Sequence, residues 1–210
     1  MAIRLGDIAP NFEVDTTEGA IDFHEWLGDS WGMIFSHPAD FTPVCTTELG
    51  KTALLKGEFK KRNCKVIAVS VDDVASHKKW ISDIEQVNNV EMNFPIIGDE
   101  NRIVAELYDM IHPNASEKAT VRSVFIIGPD KKVKLTLTYP MAVGRNFLEL
   151  LRVLDSLQLN AKFAVATPAD WQQGEDVIVT LPVATEDIKA KYGVEADIKR
   201  PYLRYIPQPN

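Results

Sequence analysis

The sequence predicts an α/β fold: a mixed central sheet flanked by helices, followed by a small C-terminal α+β extension. Two observations carry this. Short β-branched and aromatic runs alternate with helical apolar periodicities up to about residue 160, and from residue 161 that alternation gives way to short, Pro- and Gln-punctuated segments. Residues 33–35, 66–71 and 124–127 are apolar runs bounded by polar or Gly/Pro punctuation, and 94–97 is a fourth, so each is expected to be a buried strand. Helical periodicity spans roughly 43–61, with Leu49, Leu54, Leu55 and Phe59, and roughly 73–87, with Trp80, Ile81 and Ile84. Asp72 and Asp73 suit the start of that second helix. Strands separated by helices are expected to pair in parallel. The turn Gly128-Pro129-Asp130-Lys131 and the alternating Val133, Leu135 and Leu137 add an antiparallel hairpin, which makes the sheet mixed. An amphipathic helix follows at about 144–160, with Phe147, Leu150, Leu151, Leu154 and Leu157 in one stripe. The expected domains are 1–160 for the sheet and 161–210 for the extension, which holds a short strand at 177–179, a short helix near 185–192 and few core-sized apolar clusters. So small a segment is expected to pack on the main domain and at a dimer interface.

Composition narrows the function classes. The 210 residues are 45% hydrophobic, enough for a substantial core, and carry 30 acidic against 23 basic side chains, a net charge of -7 with no basic block. Nucleic acid is therefore not an expected partner. The start of the chain lacks the basic and apolar regions of a secretory signal, and no run reaches the ~18 apolar residues of a membrane helix, so a cytoplasmic location is expected. The two cysteines, Cys45 and Cys64, match neither a CxxC nor a zinc spacing, which argues against a disulfide reductase, a disulfide framework or a metal site. His77 and His112 read as surface residues.

One cysteine stands apart. Thr42 suits a helix N-cap and Pro43 the first helical position, which puts Cys45 at the third, where a capping box would carry its carboxylate. The orphan amides and the dipole of a helix start both favour an anion, so a thiolate is at home there. Thr42 can point its hydroxyl at the sulfur or at a substrate oxygen, and Pro38 can shield the sulfur from solvent. Arg122 interrupts an apolar run with a permanently charged side chain; beside the sulfur it would stabilise the thiolate and bind substrate oxygens, whereas on a solvated strand face it would do neither. Cys64 reads as a small packing residue ahead of a strand.

The stretch Phe35-Ser-His-Pro-Ala-Asp-Phe-Thr-Pro-Val-Cys-Thr-Thr-Glu-Leu49, with Arg122 and the 140–145 run, resembles the peroxiredoxins, and within them the one-cysteine, peroxiredoxin-6 group. Gly28-Asp-Ser-Trp-Gly32, Gly128-Pro-Asp-Lys-Lys132, Ala166-Thr-Pro168 and Tyr202-Leu-Arg-Tyr205 extend the resemblance over essentially the whole chain. It implies a thioredoxin-like fold, usually a homodimer, that reduces hydrogen peroxide and alkyl or lipid hydroperoxides without metal or organic cofactor. It also implies that Cys45 is the peroxidatic cysteine, that Thr42, Pro38 and Arg122 form the active-site set, and that His37 and Glu48 are flanking polar residues of the site. With no cysteine after residue 64, an external thiol such as glutathione is expected to close the cycle, a Cys45–Cys64 disulfide being the lesser alternative.

Two other function classes are open at this stage. Gly28-Asp-Ser30-Trp-Gly32 has the Gly-x-Ser-x-Gly form, and the resemblance extends to relatives ascribed a phospholipase A2 activity on residues matching Ser30, His24 and Asp130. A nucleophile elbow, however, joins a strand to a following helix, and Ser30 is expected to precede a strand. The third class is a thioredoxin-like binding module without turnover.

Overall fold

Strands buried on both faces find cover only inside a sheet with layers on each side. Trp31–Ser36 (β3) and Arg122–Ile127 (β6) are buried throughout, and Cys64–Ser70 (β4) at all but one position. They lie at the centre of a seven-stranded sheet with Glu13–Thr16 (β1), Gly19–Asp22 (β2), Ile96–Gly98 (β5) and Val133–Tyr139 (β7), in the order β2-β1-β5-β4-β3-β6-β7. This computed structural model describes residues 3–210. The strands β3, β4 and β5 are parallel, and β1, β2, β6 and β7 pair antiparallel with their neighbours. The mixed sheet and the β6–β7 hairpin match the sequence reading. The chain reverses before β6, so that strand runs against β3, with Phe35 opposite Val124.

Five helices accompany these strands: Phe23–Leu27 (α1), Pro43–Leu54 (α2), Lys56–Lys61 (α3), Val74–Asn88 (α4) and Ile103–Leu107 (α5). On one sheet face Ile34, Ile67, Val69, Ile97 and Phe125 join Phe12, Phe23, Leu27 and Tyr108 in one buried cluster. Phe35 alternates to the other face, where its ring meets Phe94 and Phe147. Asp73 caps α4 by accepting from the Ser76 amide, as its sequence position suggested.

Several boundaries differ from expectation for local reasons. The helix expected over 43–61 breaks at Leu55, whose ψ of 9° ends α2. The fourth strand starts at Ile96 and not at residue 94, because Pro95 has no N–H to give a ladder. The hairpin β1–β2 carries no strand signal in the sequence, since four of its eight residues are exposed and only Thr16 is buried. The helix expected from 144 begins at Phe147 (Phe147–Lys162, α6), because the Arg145 amide donates to the Glu48 carboxylate at 2.7 Å.

Contacts divide the chain into two units, one through Phe147 and one from Leu148 to Asn210. The second holds most of α6, a four-stranded antiparallel sheet and the short helix Ile188–Tyr192 (α7). Its strands are Val165–Ala166 (β8), Val177–Val179 (β9), Asp197–Arg200 (β10) and Leu203–Ile206 (β11), ordered β10-β11-β9-β8. Few apolar clusters were expected here, yet Leu159, Val165, Trp171, Val177, Val179, Val183, Ile188 and Ile206 form a buried core of their own. Each segment contributes only one to three of these residues, so the cluster exists in space and not along the sequence. Among the described residues no helix is long and apolar enough to cross a membrane.

Glycine positions test this packing. A methyl group on Gly98 would lie 2.6 Å from the Val74 backbone nitrogen, whereas one on Gly57, inside α3, meets nothing within 4 Å. Urea unfolding should show Gly98→Ala losing about 1–3 kcal/mol and Gly57→Ala gaining about 0.5–1 kcal/mol. A Gly98→Ala protein as stable as wild type would contradict the close approach of β5 to the start of α4.

Candidate active site

The first turn of α2 is set by three adjacent residues. Thr42 is extended (φ −113°, ψ 146°), Pro43 opens the helix, and Cys45 takes the third position with its side chain buried. The Thr42 carbonyl accepts the Thr46 amide at 3.0 Å, so the amides before it have no intrahelical acceptor. One expectation needs correction: the Thr42 hydroxyl does not cap the helix. It donates to the Ala39 carbonyl at 2.8 Å, which keeps its oxygen available as an acceptor.

Arg122 reaches the sulfur. Its Nη1 lies 3.4 Å from Cys45 Sγ and also donates to Glu48 Oε2 at 2.7 Å, while Nε and Nη2 hold the Met141 carbonyl at 2.9 and 2.7 Å. Cys45 and Glu48 stand three apart on α2 and so share a face of the helix. Glu48 also takes three bonds from Arg145: the backbone N–H and Nε on Oε1, at 2.7 and 2.9 Å, and Nη2 on Oε2 at 2.7 Å. Arg145 further donates to the Ser123 carbonyl and stacks its guanidinium over Phe35, 5.0 Å from the ring centre. All of these charged side chains are essentially without solvent contact. Burial alone would raise the Glu48 carboxyl, but the Arg145 bonds and charge, with Arg122 behind them, bring it below its ordinary value. Burial lowers the Arg145 guanidinium and Glu48 opposes that shift. The sequence reading placed Glu48 at the site but gave Arg145 no role, because an arginine beside a glycine in a turn carries no period or pairing signal.

The loop from β3 to α2 is tied to a second carboxylate. Pro38 is buried, as is His37, which directs Nε2 at Asp40 Oδ1 (3.1 Å) while its Nδ1 has no hydrogen-bond partner among the described residues. Asp40 also accepts from His77 Nδ1 (2.8 and 2.9 Å to its two oxygens) and from the Ser76 hydroxyl (2.7 Å). Burial lowers the His37 pKa despite Asp40, and the two histidines hold the Asp40 carboxyl well below the usual range although burial opposes them. His77 corrects its reading as a surface residue: it is fully buried on α4. Ligand-type atoms of His37, Asp40 and His77 lie within 4.8 Å of one another, and hydrogen bonds join both rings to the carboxylate.

The three residues of the hydrolase reading hydrogen-bond to three different partners. Ser30 donates to the Asn63 side chain (3.1 Å), His24 Nε2 faces the Ala9 carbonyl (2.8 Å), and Asp130 pairs with Lys134 (2.7 Å). Ser30 also precedes β3, with no strand-to-helix elbow around it. Cys64 opens β4 opposite Trp31, at the far end of the parallel strands from the loop that leads into α2, and burial pushes its thiol up to about 12.

Residues 5–136 match the AhpC/TSA family, and residues 156–193 match the C-terminal domain of 1-Cys peroxiredoxin. The chain is 52% identical over 208 residues to a 1-Cys peroxiredoxin of Dictyostelium discoideum, which covers 99% of this chain and 86% of that protein. A crystal structure of a cysteine-to-serine mutant of peroxiredoxin 6 from Arenicola marina superposes with a TM-score of 0.94 at 50% identity, covering both chains completely. The yeast mitochondrial 1-Cys peroxiredoxin, studied for thiol resolution through glutathione/thioredoxin systems, superposes with a TM-score of 0.92 at 52% identity, over 98% of this chain and 99% of that one.

The buried charges set the acid response. Glu48 and Asp40 are held below their ordinary values of 4.5 and 3.8, and His37 below 6.5, so the unfolded chain binds more protons than the folded one as pH falls. Stability is expected to be complete above about pH 6.5 and to decline on acidification, first through His37 and then, below about 4.5, through the carboxylates. Glu48→Gln should cost about 3–5 kcal/mol at pH 7, since it strips charge from two buried guanidinium groups. Urea midpoints should show that cost shrinking as wild-type Glu48 protonates; an equal cost at pH 7 and pH 3 would contradict the assignment.

Proposed function

We propose, from the premise that this chain belongs to the peroxiredoxin family and is a thiol peroxidase of its 1-Cys type, that Cys45 is the residue its peroxide substrate oxidises. The observation that carries this is the charge count around the sulfur. Two buried guanidinium groups, Arg122 and Arg145, share the single carboxylate of Glu48, which leaves one positive charge in a water-poor site. A thiolate at Cys45, 3.4 Å from Arg122 Nη1, neutralises it.

The thiolate attacks one oxygen of a hydroperoxide ROOH. An S–O bond forms as the O–O bond breaks, the leaving alkoxide or hydroxide takes up a proton, and Cys45 becomes sulfenic acid. Negative charge moves from sulfur to the departing oxygen, and the Arg122 guanidinium together with the orphan amides of the α2 start favours it there. The Thr42 hydroxyl gives its proton to Ala39, so its oxygen accepts the O–H of the peroxide. Glu48 and Arg145 act through Arg122 as positioning residues, and buried Pro38 keeps water from the sulfur. Because Cys45 is itself buried, peroxide reaches it as the structure around the sulfur opens locally. Hydrogen peroxide and alkyl or lipid hydroperoxides share the O–O group this chemistry requires.

An external thiol completes the cycle. The first thiol displaces water from the sulfenic acid to give a mixed disulfide, and a second releases Cys45 thiol and a symmetric disulfide. A bond between Cys45 and Cys64 needs Cα atoms within about 7 Å, and Cys64 opens β4 at the end of the parallel strands opposite the loop that leads to Cys45. Glutathione is the reductant this reading favours, in keeping with the glutathione/thioredoxin systems studied for the yeast relative. Ser30, His24 and Asp130 each hydrogen-bond to a different partner, so the geometry favours the peroxidase reading over a hydrolytic one.

Stopped-flow oxidation by hydrogen peroxide should be abolished by Cys45→Ser and slowed about 100-fold or more by Arg122→Ala, which removes a charge-assisted contact in the transition state. Arg122→Ala reacting at the wild-type rate would sink the assignment. Peroxide-treated protein should gain oxygen by intact-mass measurement until glutathione is supplied. A loss of two protons would point instead to an internal Cys45–Cys64 disulfide.

A further inference from the structure

The segment between β3 and α2 contains a conformation that its own residues do not favour. Phe41 has φ +53°, a left-handed backbone for a bulky side chain, and it is more than half exposed, so burial of its ring does not compensate the strain. The strain lies one residue ahead of the helix cap and four ahead of Cys45. Something adjacent must over-determine it.

Asp40 is that neighbour, and it is held from several directions. Its amide donates to Asp72 Oδ2 (3.0 Å), an oxygen that also accepts the Ser70 hydroxyl (2.8 Å) at the end of β4. Its carboxylate takes His37 Nε2 from the loop, and His77 Nδ1 and the Ser76 hydroxyl from α4. His77 is anchored in turn, with Nε2 3.0 Å from the Ile97 carbonyl on β5. Trp80, one turn along α4 from His77, meets the His37 ring at 5.4 Å and the Phe41 ring at 6.2 Å.

We infer that His77, through Asp40, is a positioning residue for the peroxidase reaction: it holds the 37–42 loop in its strained form so that Pro38, Thr42 and the first turn of α2 are aligned around Cys45, and it fixes His37 with Nε2 protonated and Nδ1 bare. No other part of the reaction is assigned to His77; its ring bonds Asp40 and Ile97 and not the sulfur. This inference rests on Cys45 being the oxidised residue. Removing the His77 donor frees the loop to relax at Phe41, which moves Thr42 while leaving the Glu48 pair in place.

The test measures the second-order rate of oxidation by hydrogen peroxide in the full chain, with Cys45→Ser as control. His77→Leu should slow the reaction at least tenfold, and His77→Gln, which keeps a side-chain N–H toward Asp40, should recover most of it. Adding Phe41→Gly to His77→Leu should recover at least threefold, because glycine takes positive φ without strain; loss of packing alone would not be repaired by deleting a ring. A folded His77→Leu protein oxidised within twofold of wild type would overturn the inference. If that variant does not fold, histidine ¹⁵N NMR of the wild-type protein decides: His37 protonated at Nε2 and bare at Nδ1 supports it, and the opposite or an exchanging tautomer overturns it. Wild-type protein that Cys45→Ser leaves unchanged in rate would instead overturn the reading of Cys45.

Discussion

The structure around the sulfur depends on one carboxylate shared by two guanidinium groups. Glu48 could not be buried alone, nor could Arg122 or Arg145, since each would lose its hydration without return. Together they satisfy one another, with both Glu48 oxygens occupied and the guanidinium groups also on the Met141 and Ser123 carbonyls. Three elements distant in sequence are thereby joined at one point: the first half of α2, the start of β6 and the turn before α6. The cluster is not neutral by itself. That imbalance is what makes the place suited to an anion, and it ties the stability of the site to the reactivity proposed for it.

Much of the architecture was legible because the signals were local. Pro43 after Thr42 marks a helix start whatever surrounds it, and Gly128-Pro129-Asp130-Lys131 makes a turn between an apolar run and an alternating one. What escaped was long-range. The polar hairpin β1–β2 is recognisable only through its place beside β5, and the direction of β6 depends on where the chain turned before it. The core of the C-terminal unit draws single residues such as Trp171, Val183 and Ile188 from segments with no apolar run.

The site divides in the same way. Cys45 and Thr42 announce themselves by position on a helix start, and Arg122 by standing out in an apolar strand. Arg145 and His77 carry no such mark. Arg145 follows a glycine in a turn, and what defines it is a carboxylate 97 residues earlier. His77 sits amid Ser76, Lys78 and Lys79, and so reads as surface, but its place on α4 turns it to the same buried side as Trp80 and Ile84. A residue's helical neighbours at three and four positions were thus the better guide to its burial than its immediate ones.

The two buried carboxylates hold the first turn of α2 from opposite sides. Glu48 holds the side-chain partners of the sulfur, and Asp40 holds the backbone that leads into its helix. Neither could do the other's part: Asp40 precedes the helix and cannot reach across to β6, and Glu48, one turn into α2, has no purchase on the loop. On the proposed chemistry their loads change differently. Conversion of Cys45 to sulfenic acid removes the negative charge that balanced Arg122 and Arg145, so strain accumulates at the Glu48 cluster while the Asp40 network keeps its full complement of donors. The charge imbalance that the conversion leaves therefore falls on the Glu48 cluster and not on the Asp40 network.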